Sequence, residues 1–426
     1  MTADLPMPSG SLVCDVLVVG GGAAGVAAAA AAGRAGARVV LLERYGFLGG
    51  LATAAEVGTI CGLYLRDAAG RQATPVARGF VSEYALRLQR TAGVEPLRLK
   101  AGLWVLPAPP LAFARVADAV LRESGDVTLA LHATVAEARA EGSRLVEVRA
   151  LAWNDPLVVR PRAVVDCSGE ATAAALAGAG VEEGAADQAP SLVFTLEGVD
   201  PGLAEHGLLE LRLDVRRGVE AGCLPARCGE FSLVPGTGGD GRLSLKLNLP
   251  PADPDRPLWQ QVTAWEREAR THVEELQRYL SENTPSCRNA RLASIAPQVG
   301  IRSGRRIRGR ATLADEDVLG SRKSALGVAR GCWPMERWGT GPRPEVTFFN
   351  ERDYYEIPLD CLRLLDLDNV MAAGRCFCAM TRAMSSARVI GTALATGWAA
   401  GSACAWQALG RPLDEAVALI REQMDQ

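Results

Sequence analysis

Along the first fifty residues the apolar positions are contiguous rather than alternating. Val16 to Val19 predicts a parallel strand covered on both faces, and Val39 to Leu42 predicts a second one. Between them Val26 to Ala32 is almost pure alanine, a strong helix former small enough to lie close to a sheet. Further on, Phe113, Val116, Ala119 and Val120 sit at helical spacing within an amphipathic helix over Leu111 to Glu123, followed by a short strand at Val127 to Leu131. Val146 to Ala152 and Leu157 to Val159 are apolar runs joined by Asn154-Asp155-Pro156, a hairpin signal. Ala163 to Asp166 then forms a strand entering the small-residue turn Cys167-Ser168-Gly169-Glu170, before a helix at Ala173 to Gly178.

From Gln188 to about Tyr355 the texture changes. Leu192 to Leu196 and Leu243 to Leu247 alternate or nearly so, as sheet strands do. Val262, Trp265, Val273, Leu276 and Leu280 mark a long surface-lying helix over Trp259 to Leu280. The Gly- and Pro-rich stretches 236–241 and 250–257 are loops within this second unit. Near the C-terminus Asp368 to Arg375 is a strand ending in Ala-Gly-Arg, and Ala393 to Gln407 is a helix with Gly391, Ala395, Ala399 and Ala403 as a small-residue ridge. A last helix is expected over 411–426.

The punctuation of the first strand carries chemistry. Gly20, Gly22 and Gly25 fit G-x-G-x-x-G directly after a strand and before a helix. The three positions serve a tight turn, close backbone approach to a pyrophosphate, and close helix–strand packing. The helix N-terminus would face the phosphates with its unpaired N–H groups. Glu43 ends the second strand 23 positions after Gly20, the place of a ribose-binding acid. A dinucleotide site follows, with FAD or NAD favoured over NADP, and Arg44 a solvated charge beside it.

Composition and charge narrow the class. The 426 residues are 48% hydrophobic and 22% charged with a net charge of −3, a soluble globular balance without the basic field of a nucleic-acid partner. Met1 to Gly10 lacks a signal peptide's charged and apolar regions, and glycines interrupt Val16 to Ala32 too often for a membrane span. The 11 cysteines form no C-x-x-C, and His132, His206 and His272 stand apart from them, so neither a disulfide framework nor a metal site is expected. Most of the thiols read as small buried hydrophobes in a reducing cytoplasm.

Three further stretches bear on a site. Tyr45 to Thr53 holds a second glycine pair, Gly49-Gly50, followed by Leu51, Ala52 and Thr53, and brings backbone near the cofactor. Flavin-linked disulfide reductases place a redox C-x-x-x-x-C there, but Ala52 and Val57 occupy those slots. The arginine-dense run Ile301 to Arg310 is either an edge neutralised by Asp315-Glu316-Asp317 or the source of a clamp for a substrate carboxylate. Cys376 and Cys378 alternate by two, so they share a face if extended and raise covalent attachment to flavin or substrate against the plainer reading of buried thiols.

Together, Val19 to Gly25, Leu48-Gly49-Gly50, Asp166 to Glu170, Gly300 to Gly309 and Ala373 to Gly401 resemble the FAD-dependent oxidoreductase family, flavoproteins related to the glutathione-reductase fold, over about 14–409. The resemblance implies an α/β protein. A Rossmann-like FAD-binding domain would be assembled from 13–60, 111–185 and 360–415, with a mixed α+β substrate domain from 61–110 and 186–359 inserted into it. It also implies FAD as cofactor and hydride transfer between a small organic substrate and flavin N5. The cofactor shell would comprise Gly20, Gly22, Ala23, Ala24, Gly25, Glu43, Arg44, Gly49, Gly50, Leu51, Ala52, Thr53, Ser168, Gly169, Gly374, Arg375, Gly391 and Thr392. Arg388 and the backbone at Gly391-Thr392 would stabilise charge on the reduced flavin. The family's Asp-Ile-His-like stretch is replaced by Met335-Glu336-Arg337-Trp338, so the proton partner is sought among Tyr64, Glu336, Tyr354, Tyr355 or an arginine, while Cys61 joins Cys376 and Cys378 as a thiol that could be attached to flavin or substrate. The expected partner is a small-molecule substrate, with a homodimer or an electron-acceptor protein beside it. A non-catalytic dinucleotide-binding subunit and a flavin monooxygenase are the alternatives.

Overall fold

The computed structural model describes residues 11–184, 188–203, 208–339 and 343–425. Met1 to Gly10, His206, Gln426 and the domain boundary expected at 185 and 186 lie outside the described residues.

The contiguous apolar runs do form the centre of a sheet. Ser11–Val19 lies between Val39–Leu42 and Asp155–Asp166, parallel to both, with Val16 opposite Val39 on one side and Ala163 on the other. Val127–Ala130 extends the sheet beyond Val39–Leu42. Val370–Ala372 pairs in parallel with the far end of Asp155–Asp166, while Arg144–Ala152 pairs antiparallel with its beginning and carries Ala133–Glu141, completing a seven-stranded sheet. The fold is therefore α/β with a largely parallel central sheet.

Two sequence expectations change here. Leu157 to Val159 and Ala163 to Asp166 belong to one strand of 12 residues, because Pro161 leaves the parallel ladder to Ser11–Val19 running past it. The hairpin turn falls at Trp153-Asn154, with Trp153 at φ 58. Ala133–Glu141 gave no apolar signal, being charged and mostly exposed at one edge of the sheet.

The alanine run becomes the helix Ala23–Arg34, buried except at its last residue. Its partner is Ile390–Ala408, which starts three residues before the expected Ala393. The contact with Ala23–Arg34 is made through Gly397 and Gly401, while Gly391 of the anticipated ridge packs on the Cys61-Gly62 backbone. A Cβ at Gly397 would lie 2.1 Å from the carbonyl oxygen of Ala24, and one at Gly401 2.2 Å from that of Ala28. Ala395, Ala399 and Ala403 are buried on another face, so the helix is covered all round.

A second core lies between an antiparallel sheet and a long helix. The strands run in the order Phe231–Leu233, Arg242–Asn248, Ser191–Glu197, Arg291–Ile295. Leu258–Asn283 lays Trp265, Ala269, Val273, Leu276 and Leu280 onto it. In Arg242–Asn248 the alternation puts Leu243, Leu245 and Leu247 into this core and turns Ser244 and Lys246 to the other face. Part of what was expected with the second unit packs instead in the core of the first: Phe80, Tyr84 and Leu88 of the helix Phe80–Ala92, together with Leu313, Val328 and Tyr355. Among the described residues no helix is long and apolar enough to cross a membrane, and no group of His, Cys, Asp and Glu is arranged to hold a metal ion.

Candidate active site

The glycines of the first turn divide their work as the spacing predicts. Gly20 has φ +94 and no room for a side chain, since a Cβ would meet the Cys167 carbonyl oxygen at 2.7 Å. At Gly25 a Cβ would stand 1.7 Å from the carbonyl oxygen of Gly20, so this glycine packs helix on strand. Gly22 differs: nothing approaches its Cβ position more closely than Gly50 Cα at 3.8 Å. The first intrahelical bond runs from Val26 N–H to the Gly22 carbonyl, leaving the N–H groups of Ala23 and Ala24 without a helical acceptor at that opening. Gly49 N–H donates to the Gly21 carbonyl at 2.8 Å, and Gly50, at φ +55, sits against Gly22. The second glycine pair thus closes onto the first.

Glu43 stands at the edge of this groove. Its Oε2 accepts from Gly21 N–H at 2.6 Å and its Oε1 from Tyr45 N–H at 2.8 Å. Burial raises its proton affinity, and those two hydrogen bonds oppose the rise. Opposite, Ser168 Oγ donates to Asp166 Oδ1 at 2.6 Å, fixing the Ser168-Gly169 turn. Gly169, at φ +80, admits the guanidinium of Arg375, whose Nη1 donates to the Ile301 carbonyl. Gly374 has φ +70 and donates its N–H to Thr396 Oγ1 at 3.1 Å.

The resulting groove has a volume of about 240 Å³. Of the expected cofactor shell it gathers Gly20, Gly22, Ala23, Ala24, Glu43, Arg44, Gly49, Gly50, Leu51, Ala52, Ser168, Gly169, Gly374 and Arg375. Four expected residues do not reach it. Gly25 lies beneath the turn, and Thr53 Oγ1 is turned back to the Gly50 carbonyl at 2.9 Å. Gly391 is pressed against the Cys61-Gly62 backbone and donates its N–H to the Cys61 carbonyl at 3.0 Å, so that N–H cannot serve the flavin. Thr392 is fully buried in the first turn of its helix, its hydroxyl without a hydrogen-bond partner among the described residues. Ile390, Tyr45 and Gln298 line the groove without having been anticipated, Tyr45 donating its hydroxyl to Gln298 Oε1.

A second cavity, of about 360 Å³, adjoins the groove, and Leu51, Arg375, Arg388 and Ile390 line both. Its walls include two of the candidates for chemistry, Cys61 and Glu336, and Lys246, Arg302, Trp333 and Trp338. Trp333 Nε1–H donates to Glu336 Oε2 at 3.1 Å, and Arg388 Nη2 lies 3.9 Å from the same oxygen. Gln188 ties this wall down, donating to the Glu336 carbonyl at 3.3 Å and accepting from Trp338 N–H at 3.2 Å. Arg302 Nη2 donates to Ser191 Oγ at 2.9 Å and Nη1 to the Ala189 carbonyl. Of the two readings of the arginine run, the structure brings Arg302 into the cavity. Burial beside Arg302 lowers Lys246 from 10.5 to about 7, and Glu336 partly offsets this. Arg302, buried near Arg388, is lowered to about 9 and keeps its charge at neutral pH.

Several candidates for chemistry lie elsewhere. Tyr64 is buried in the first core and accepts a hydrogen bond from Gln89 Nε2 at 3.1 Å, because the helix Phe80–Ala92 covers it. Tyr355 is buried with its hydroxyl 2.8 Å from Ser386 Oγ, and Tyr354 is held by Lys323 and Arg330 over its ring. Cys376 Sγ accepts from Ala171 N–H at 3.3 Å and Cys378 lies 3.3 Å from Thr312 Oγ1, both behind the groove wall. Cys61 does face the cavity, but burial pushes its thiol far above the ordinary value, and it stays protonated.

The profile of the FAD dependent oxidoreductase family matches residues 15–413. The chain belongs to that family. No curated protein sequence matches this oxidoreductase. Solved structures that resemble it include a geranylgeranyl bacteriochlorophyll reductase-like protein from Thermoplasma acidophilum, at 13% identity over 98% of this chain and 85% of that one, with a TM-score of 0.49. The anhydrotetracycline hydroxylase OxyS from Streptomyces rimosus is 14% identical, with a TM-score of 0.49, over 96% of this chain and 65% of its own. A flavin-dependent brominase is 15% identical over 96% of this chain and 83% of its own, with a TM-score of 0.46. FAD is the cofactor of the family, and the open cradle at Gly22, at the start of the helix Ala23–Arg34, fits its pyrophosphate.

Proposed function

We propose that this oxidoreductase transfers a hydride between a carbon of a small organic substrate in the larger cavity and FAD in the groove. The observation that carries the reading is the shared wall: Leu51, Arg375, Arg388 and Ile390 belong to both spaces, so a group lying in one meets a group lying in the other. FAD supplies the electron-accepting N5 when bound. The remaining work falls to side chains. Gly20, Gly22 and the helix start at Ala23 and Ala24 would hold the pyrophosphate, and Glu43 the ribose. Arg388 at the junction stabilises negative charge that develops there. Trp333, Trp338 and the apolar wall exclude water. Lys246, with a proton affinity near neutrality, faces the substrate space and holds a proton at Nζ beside it.

The antiparallel excursion Ala133–Asp166 that returns to the middle of the parallel sheet supports the finer reading of the fold as glutathione-reductase-type. Anaerobic mixing with candidate substrates tests the function. Bleaching of the flavin bands, slowed several-fold when the reacting carbon carries deuterium, supports hydride transfer. Consumption of NAD(P)H coupled to oxygen uptake and substrate hydroxylation would instead make it a monooxygenase.

A further inference from the structure

The larger cavity is polarised. Among the described residues its walls carry four cationic side chains, Lys246, Arg302, Arg375 and Arg388, against one carboxylate, Glu336. Glu336 is already engaged by Trp333 and lies beside Arg388. Arg375 is committed to the Ile301 carbonyl on the groove side. Lys246 and Arg302 stand together on the Trp338 side of the cavity. Lys246 Nζ stands 3.8 Å from the centroid of the Trp338 ring and the Arg302 guanidinium carbon 4.8 Å from it. Two cations over one ring repel each other, and the lowered proton affinity of Lys246 records burial and the charge of Arg302, while that of Arg302 records burial and the charge of Arg388. Lys246 makes no hydrogen bond among the described residues, whereas Arg302 is pinned by Ser191 and Ala189. Val105, Val193, Leu233 and Val234 make other parts of the wall apolar.

We infer that the substrate binds as a carboxylate on an apolar body, its anionic end held between Lys246 and Arg302 at Trp338. The inference rests on the reading of this cavity as the substrate site. A carboxylate offers two oxygens, one for each cation, and its single charge relieves the repulsion between them. Arg302 supplies a fixed fork and Lys246 a mobile point charge. Trp338 positions both through its ring face. The bound anion also restores the proton to Lys246 against the opposing charges of Arg302 and Arg388, with Glu336 acting in the same sense as the anion.

The test is a titration of the FAD-loaded protein with benzoate and hexanoate and with their neutral amides, read by the flavin absorption bands and by tryptophan fluorescence. The carboxylates are expected to bind at least about tenfold more tightly than the amides, a difference of roughly 1.4 kcal/mol. Lys246→Met and the conservative Arg302→Lys are each expected to weaken benzoate about tenfold or more while the flavin content is unchanged. Benzoate affinity of the unsubstituted protein is expected to fall as pH rises above about 7, and that slope should flatten in Lys246→Met. Equal affinity for acid and amide, variants that bind benzoate normally, or phenyl phosphate binding more tightly than benzoate would each overturn the inference. Flavin reduced by neutral substrates with no carboxylate binding removes the inference and leaves the oxidoreductase reading. Carboxylate binding with no substrate able to reduce the flavin does the reverse.

Discussion

At the scale of the residue, two positions carry most of the account. Gly25 is the glycine whose role is packing: an added methyl would overlap the Gly20 carbonyl oxygen at 1.7 Å, and that oxygen belongs to the turn facing the groove. Gly25→Ala is therefore expected to cost about 1–3 kcal/mol of stability, in the range of overpacked cores, and to lower FAD retention. Urea denaturation and the ratio of flavin to protein absorbance measure both. Lys246 behaves oppositely. Its folded-state proton affinity is depressed from 10.5 to about 7, so the unfolded chain binds the proton more tightly. The folded state loses stability as pH falls from 10.5 towards 7, and below about 7 the loss is complete. Lys246→Met should raise the denaturation midpoint at pH 6.5 and do progressively less towards pH 10. A gain that grew with pH would contradict the assignment. Glu43 and the G-x-G-x-x-G glycines were legible from spacing, because the chemistry of a phosphate cradle constrains consecutive residues. Lys246 was not, because a lysine in an alternating strand reads as solvent-facing until a second layer covers that side. Tyr64 failed for a related reason: nothing in its neighbourhood announces the helix Phe80–Ala92 that buries it.

At the scale of the element, the helix Ile390–Ala408 joins the two halves of the site. Its first turn lies at the junction of groove and cavity through Ile390, and its middle is locked to Ala23–Arg34 through Gly397 and Gly401. Gly401→Leu should push the two helices apart, costing about 1–3 kcal/mol or more, and should loosen FAD more than the same change at the exposed Gly410. Differential scanning calorimetry with and without added FAD separates the two effects. Arg388 lies just before this element, at the junction of groove and cavity. Arg388→Met is expected to make the bound flavin harder to reduce, by about 30 mV or more in its midpoint potential, equivalent to roughly 1.4 kcal/mol. An unchanged potential would remove Arg388 from the mechanism. The small-residue texture of the helix was legible, but which face approached a neighbour was not: glycine, alanine and serine fill every face, and only the alanine helix opposite selects Gly397 and Gly401. Thr392, expected at the flavin, is turned inward by the same packing.

At the scale of the whole molecule, function depends on two cores meeting along one wall. The first buries the parallel sheet and its helices; the second is an antiparallel sheet under Leu258–Asn283, and its strand Arg242–Asn248 delivers Lys246 to the space between them. The nucleotide-binding half was readable because parallel strands covered on both faces leave contiguous apolar runs and the cofactor leaves its glycines. The cavity was not: Cys61, Glu336 and Arg388 stood out singly as candidates, but their meeting with Lys246 and Arg302 joins residues far apart in the chain through tertiary structure alone. The measurement that tests the account most directly is the visible absorption spectrum of the purified protein before and after denaturation, followed by anaerobic reduction with small carboxylate-bearing substrates. The account predicts flavin bands that are released as free FAD on denaturation and that bleach with at least one such substrate. A colourless protein that cannot be reconstituted with FAD, or a flavin that no cavity ligand perturbs or reduces, would contradict it.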